Sequence, residues 1–241
     1  MPARVLNNCI LCALLFFYSS VYSAEFQPWS ENIFLHVEKM YGAPAAKRMR
    51  YLHDLILKNR NLPAPEKLKL INDTMNRLPW IADEKHWKNV DYWATPLETI
   101  TTFGGDCEDI AIAKWVALTH IGIESKHLAL AYVRIKQTSE NHMVLLYIER
   151  PDLPPAQQTA LILDNYVPVI MKASERTDLL AVYATDANGK LVLIADNGNA
   201  RTIKAVFEDR KLQKIEDLKK KVAATREKFK KLNEGRPSFS P

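Results

Sequence analysis

Cysteine is scarce in this chain. There are three in 241 residues, and two of them, Cys9 and Cys12, fall in the first two dozen positions. That excludes a disulfide framework as the source of stability. Long apolar runs are missing too: after the N-terminal segment no stretch is long enough to span a bilayer. There is no internal repeat, which excludes a solenoid or propeller. Nothing ahead of the C-terminal region is low in complexity. Charge of one sign is also lacking. Thirty-three basic against 28 acidic residues leave a net charge of +5, too mild to argue for nucleic-acid binding. With 47% apolar and 25% charged residues the composition is that of an ordinary globular protein, large enough for a real core.

The first residues read as an export signal. Arg4 supplies a positive start, Cys9 to Phe17 a short apolar run, and Val21-Tyr22-Ser23-Ala24 small residues for cleavage after Ser23 or Ala24. The alternative is a retained N-terminal anchor, for which the run is short. Residues 1–23 are therefore expected to be removed and the remainder, 24–235, to form one exported, soluble domain with a frayed tail at 236–241. Cleavage removes Cys9 and Cys12. Cys107 is then the only cysteine left, and an unpaired cysteine in an oxidising compartment is a candidate reactive thiol.

The chain is organised around Cys107. Thr95-Pro96-Leu97-Glu98 carries the signature of a helix start, with Thr95 as N-cap and Glu98 closing a capping box. Phe103-Gly104-Gly105 breaks the chain. Asp106 is placed to cap the next helix, with Asp109 reaching back to it. The apolar run from Ile110 to Leu118 predicts a buried central helix. Cys107 falls in its first turn, where free N–H groups and the helix dipole favour a thiolate. Taken alone, the same stretch also fits a Gly-Gly turn and a buried structural cysteine.

Residues of about 30–90 read as a helical lobe. Helical spacing is found over 30–41, 45–58 and 65–78, and Pro79 ends the third helix. Trp80, Trp87 and Trp93 follow in a loop-rich segment and read as packing residues. Beyond Gly122 the pattern changes to strands at 128–135, 143–149, 160–166, 179–185 and 190–195, with Asn188-Gly189 as a hairpin turn. Short connections between them predict an antiparallel sheet. The catalytic core is thus placed at about 91–200. A long basic helix follows over 204–233, read as an amphipathic helix packed on the domain rather than a membrane-surface element.

A cysteine nucleophile needs a base, and the base needs an orienting group. Of the six histidines, His36, His53 and His86 lie in the helical lobe. His120 is on the same helix as Cys107 but roughly 20 Å along it at 1.5 Å per residue. His127 opens a strand near the far end of that helix. His142 follows a polar loop and opens a strand, a usual place for a catalytic group. Asp164 lies within the apolar strand Leu161–Tyr166, where a carboxylate is costly unless paired, and could fix the tautomer of His142 from the neighbouring strand.

Asp91-Tyr92-Trp93-Ala94-Thr95-Pro96-Leu97-Glu98, Gly104-Gly105-Asp106-Cys107-Glu108-Asp109, Asn141-His142 and Leu163-Asp164-Asn165 together resemble the bacterial transglutaminase-like cysteine proteinases. The likeness covers about 80–165. It implies an α+β, papain-like or transglutaminase-like fold, in which a helical N-terminal lobe and a central cysteine-bearing helix pack on an antiparallel sheet. It also implies a Cys107–His142–Asp164 triad and a calcium ion held by Asp106, Glu108 and Asp109. Members of this kind are periplasmic proteases that cut large outer-membrane adhesins near their N-termini and so disperse biofilm. They are held inactive by the periplasmic domain of an inner-membrane cyclic-di-GMP receptor.

The residues bear on calcium independently. Asp106, Glu108 and Asp109 crowd a thiol that must ionise, and like charges raise its pKa. Either they cap the helix and face solvent, or a hard dication sits among them. Carboxylates and loop carbonyls from 91–96 suit calcium, and the want of further Cys or His ligands speaks against zinc. Two other functions remain open in the sequence. A protein-glutamine transglutaminase would use the same thioester chemistry with an amine acceptor. A non-catalytic binding module would need a decayed site.

Overall fold

The computed structural model describes residues 26–154, 157–186, 191–192 and 209–235. The expected signal segment 1–23, the Asn188-Gly189 turn, residues 193–195 of the last expected strand, residues 204–208 and the tail at 236–241 lie outside the described residues.

Three helices build the first lobe: α1 (Glu31–Tyr41), α2 (Ala43–Lys58) and α3 (Ala64–Met75). Pro44 and Pro65 sit in the first turns of α2 and α3, where a missing N–H costs nothing. Each helix buries one apolar stripe, such as Met49, Leu52 and Ile56 or Leu68, Ile71 and Met75. The tryptophan-rich connection contains one short turn of helix, α4 (Asp83–His86). Trp93 is in the core, as the sequence suggests, but Trp80 is 60% exposed.

Then come α5 (Pro96–Thr102) and the central helix α6 (Cys107–His120). At α5 the capping box is complete: Glu98 N–H donates to Thr95 Oγ1 and the Glu98 carboxylate accepts from Thr95 N–H. α6 is apolar almost all round because it is covered on every side, by α3 and α5 and by the sheet.

Among the described residues the sheet has six strands in the order β4-β3-β2-β1-β5-β6, each pair antiparallel. They are β1 (Leu128–Ile135), β2 (Asn141–Ile148), β3 (Ala160–Leu163), β4 (Met171–Lys172), β5 (Leu179–Thr185) and β6 (Leu191–Val192). Strand alternation divides the core in two. Leu128, Leu130, Met143, Leu145 and Leu163 join the helical cluster around α6, while Ala129, Ala131, Val144, Leu146 and Ile162 form a second cluster. The short strand β4 carries no sequence signal. β3 is shorter than the expected 160–166, because Asp164 accepts a hydrogen bond from the N–H of Tyr166 at 2.8 Å. That local Asp turn draws the backbone out of the ladder.

The last helix, α7 (Asp209–Asn233), packs Ile215 and Leu232 into the core and returns to the start of α1. Ser30 N–H donates to Asn233 Oδ1 at 2.7 Å. This is the packed amphipathic helix expected from its pattern. No helix among the described residues is long and apolar enough to cross a membrane.

Candidate active site

Two glycines set the position of Cys107. Residues 79–81 run beside Gly105 as a parallel bridge: Ile81 N–H donates to Gly105 O at 2.9 Å and Gly105 N–H to Pro79 O at 3.3 Å. A Cβ on Gly104 would lie 2.7 Å from Ile81 Cδ1, and one on Gly105 would lie 2.6 Å from both Cβ and Oδ2 of Asp109. Only glycine allows this approach. Phe103, in the left-handed region at φ 61°, turns the chain into it.

Asp106 caps α6, accepting from Asp109 N–H at 3.5 Å. The reverse contact expected from the sequence is not made. The carboxylate of Asp109 turns the other way, accepting from Ala94 N–H at 2.7 Å and from Trp87 Nε1 at 3.3 Å. It therefore ties the 91–96 loop to the head of α6.

Cys107 Sγ donates to Glu108 Oε2 at 3.0 Å. Burial first, then the charges of Glu108 and Asp106, push its thiol well above the ordinary cysteine value, while the Met143 N–H works the other way. Without a counter-charge, burial and these acids together work against the helix dipole on which the sequence expectation of a ready thiolate rests. The Met143 contact also brings the start of β2 against the thiol. His142, the residue before, is buried there.

His142 Nε2 meets Asp164 Oδ1 at 2.7 Å, which leaves Nδ1 for other chemistry. Asp164 is 1% exposed. Burial opposes its ionisation, but the hydrogen bond and charge of His142, the Tyr166 N–H and Arg176 together hold the carboxyl down at about 2. Three of the other histidines are engaged elsewhere. His120 packs 4.5 Å from the Phe26 ring, and burial lowers it to about 4. His127 is bound through Nδ1 to Ile148 O at 2.7 Å, and His86 through Nε2 to Thr102 Oγ1 at 2.8 Å.

The acids draw in two residues that sequence reasoning missed. Carboxylate oxygens of Asp83, Asp106 and Asp109 lie within 4.8 Å of one another, as do those of Asp83, Asp91 and Glu108, and those of Asp106 and Glu108 with Cys107 Sγ. Asp83 Oδ2 accepts from Tyr92 N–H at 2.5 Å, but its Oδ1 is buried without a hydrogen-bond partner. Burial raises Asp83, and raises Asp109 to about 7 and Asp106 to about 9, with the neighbouring acids adding to each. A buried carboxylate oxygen with no donor, among acids that cannot all ionise together, fits the surroundings of a hard cation. The all-oxygen donor set suits calcium. Asp83 follows no periodic pattern; its only sequence signal is an acid in a tryptophan-rich loop.

A cysteine at the head of a helix, set against a histidine–aspartate pair on an antiparallel sheet, is the architecture of the thiol hydrolases. This chain belongs to the bacterial transglutaminase-like cysteine proteinases, whose family description matches residues 53–186, more than half of its length. It is also similar to solved structures of Legionella pneumophila LapG. One is 28% identical with a TM-score of 0.62, covering 81% of this chain and 99% of that one. The calcium-bound form is 28% identical, TM-score 0.62, covering 79% and 97%. The EGTA-treated form is 29% identical, TM-score 0.63, covering 81% and 99%. No curated protein sequence matches the chain.

Proposed function

We propose that this cysteine proteinase is a calcium-dependent periplasmic endopeptidase that cuts the N-terminal region of a large surface adhesin. Cys107 is the nucleophile, His142 the proton shuttle and Asp164 the group that orients His142. The thiol gives its proton to His142 Nδ1, and Sγ attacks the substrate carbonyl. The imidazolium returns that proton to the departing amine, leaving a thioester. Water, deprotonated by His142, then opens the thioester and frees the thiolate. Asp164 holds Nε2–H throughout and stabilises the charged ring.

The observation that carries the calcium part is the orphaned Oδ1 of Asp83 beside Asp106 and Asp109. Asp83, Asp106, Glu108 and Asp109 would hold the ion, with Asp91 at the edge. A bound dication would offset the charge that opposes ionisation of Cys107 and would fix the 91–96 loop against α6. The calcium-bound LapG structure supports this reading. The adhesin substrate, the periplasmic location and control by the periplasmic domain of an inner-membrane cyclic-di-GMP receptor rest on the likeness to LapG-type proteases and on the signal-like N-terminus.

Mass spectrometry of the host's outer-membrane and secreted adhesins, with the wild-type protein and with Cys107→Ala, tests the proposal. A new adhesin N-terminus that depends on Cys107 and calcium is expected. Glutamines crosslinked or tagged with polyamine, without a new N-terminus, would make the protein a transglutaminase instead.

A further inference from the structure

Behind Asp164 lies a buried arginine that neither the sequence pattern nor the triad chemistry accounts for. Arg176 is 4% exposed. It follows a 3-10 turn (Ala173–Glu175) and precedes β5. Its guanidinium uses three nitrogens on two carboxylates. Nε and Nη2 donate to Asp178 Oδ1 and Oδ2 at 2.9 and 2.8 Å, a bidentate fork. Nη1 donates to Asp164 Oδ2 at 2.9 Å. The opposite oxygen of Asp164 takes His142 Nε2 and the Tyr166 N–H. Both oxygens of the orienting carboxylate are thus engaged, and among the described residues Arg176 is the hydrogen-bond donor to Oδ2.

The arginine is itself held in place. The backbone around it is pinned to the end of β1: Lys136 N–H donates to Asp178 O at 2.9 Å, and Lys136 Nζ to Thr177 O at 2.7 Å. Leu179 N–H closes on Arg176 O at 3.2 Å. A long, flexible side chain so anchored at both ends works as a strut between the sheet and the triad.

The charge count explains the second carboxylate. Arg176 paired with Asp164 alone would neutralise it and weaken its pull on an imidazolium. With Asp178 taking the fork, two carboxylates and one guanidinium leave one net negative charge facing His142. Lys114 on α6 also acts on Asp164 from within the core, but burial lowers it to about 7, so its charge is only partly present near neutrality. The ring of Tyr166 lies 6.3 Å from that of His142 and adds no charge.

We infer that Arg176, braced by Asp178, is a positioning residue of the proteinase: it fixes Asp164 so that one oxygen stays on His142 Nε2 while the charge that stabilises imidazolium is preserved. The inference rests on the Cys107–His142–Asp164 reading above, and its test needs no substrate.

Calcium-loaded full chain, with its histidines 15N-labelled, is compared as wild type, Arg176→Ala and Arg176→Lys. Three quantities are read: melting temperature, the His142 Nε2–H resonance, and the rate of Cys107 alkylation by iodoacetamide. Arg176→Ala should lose the resonance to solvent exchange and alkylate about 10- to 100-fold more slowly, the usual scale for losing a group that orients a functional histidine. Guanidinium ion at millimolar concentration should restore both, and methylammonium should not. A folded Arg176→Ala protein with the wild-type resonance and rate would overturn the inference, whatever its melting temperature. Should Arg176→Ala fail to fold, Arg176→Lys decides: a wild-type rate without the fork overturns it, and a slowed rate in a folded protein upholds it. Failure of the protease reading would show separately, as adhesin processing that does not depend on Cys107.

Discussion

Lys221 donates from Nζ to the carbonyl of Trp93 at 3.0 Å and lies 3.7 Å from the centroid of the Tyr92 ring. Lys214, two turns earlier on α7, pairs with Asp91 Oδ2 at 2.8 Å. The C-terminal helix therefore grips the loop whose amides are also held by Asp83 and Asp109. Two of its lysines thus serve the loop, while Lys219, Lys220 and Lys231 pair with acids along the helix itself. Lys221→Ala should remove a hydrogen bond and a cation–π contact worth together about 1–2 kcal/mol. A lower urea midpoint with weakened calcium affinity is expected. Unchanged values for both would mean that α7 covers the loop without bracing it.

Cys107→Ala should abolish peptide cleavage and leave the fold intact, since a small apolar residue fits the same space. The chain without residues 1–23 should be alkylated once by iodoacetamide. Turnover by well-folded Cys107→Ala protein would remove the cysteine mechanism.

The histidines separate cleanly. His142→Ala should lose nearly all activity, whereas His120→Ala and His127→Ala should act only through stability. Asp164→Asn should cost on the order of 10⁴ in kcat, by favouring the wrong tautomer. Asp164 also gives a pH signature. Its carboxyl is held near 2 against an ordinary 3.8. A depressed carboxyl stabilises the fold above the unfolded value and loses that contribution as pH falls from about 4 towards 2, here about 2 kcal/mol. Wild type should lose more stability than Asp164→Asn across that acid range in denaturant titrations.

Much of this was legible in the residues, for identifiable reasons. Thr95 and Glu98, Asp106, and the apolar run after it are local signals, and they placed Cys107 at a helix head. His142 stood out because it opens a strand after a polar loop, and Asp164 because it interrupts an apolar strand pattern. Asp83 and Arg176 gave no such signal. Asp83 opens the single turn of α4 and Arg176 lies between a 3-10 turn and β5, and the acids and the triad carboxylate that give them importance come from other segments. Asp109 misled for the opposite reason: its spacing from Asp106 matches a capping box, but the Ala94 amide and the Trp87 indole N–H compete for the same carboxylate and win.

Gly105→Ala tests the closeness of the loop and α6. The added Cβ would lie 2.6 Å from both Cβ and Oδ2 of Asp109, so Asp109 must move. Overpacking of this kind costs about 1–3 kcal/mol, and here it should also weaken calcium binding. Isothermal titration of Gly105→Ala with calcium would check this; wild-type affinity would show that Asp109 is not part of the ion's surroundings.

The acids around Cys107 predict how calcium and pH interact. Asp83 is raised, Asp109 is raised to about 7 and Asp106 to about 9, all chiefly by burial. A raised carboxyl keeps its proton in the folded state while the unfolded chain releases it. Its contribution to stability is therefore complete below the unfolded value near 4 and declines as pH rises through the folded values. In a calcium chelator the protein should melt at a lower temperature at pH 8 than at pH 6. Calcium reverses the sign. It binds the ionised acids, displaces their protons, and stabilises the fold by mass action, more strongly as pH rises. The gain in melting temperature on adding calcium should thus be larger at pH 8 than at pH 6. Asp83→Asn separates the two effects. It should weaken calcium binding by about tenfold or more, since a charged ligand is lost. It should also make the chelated protein more stable at pH 8, since one buried charge is gone. If the acids only cap α6 and face solvent, neither calcium nor Asp83→Asn will move the melting temperature in this pattern.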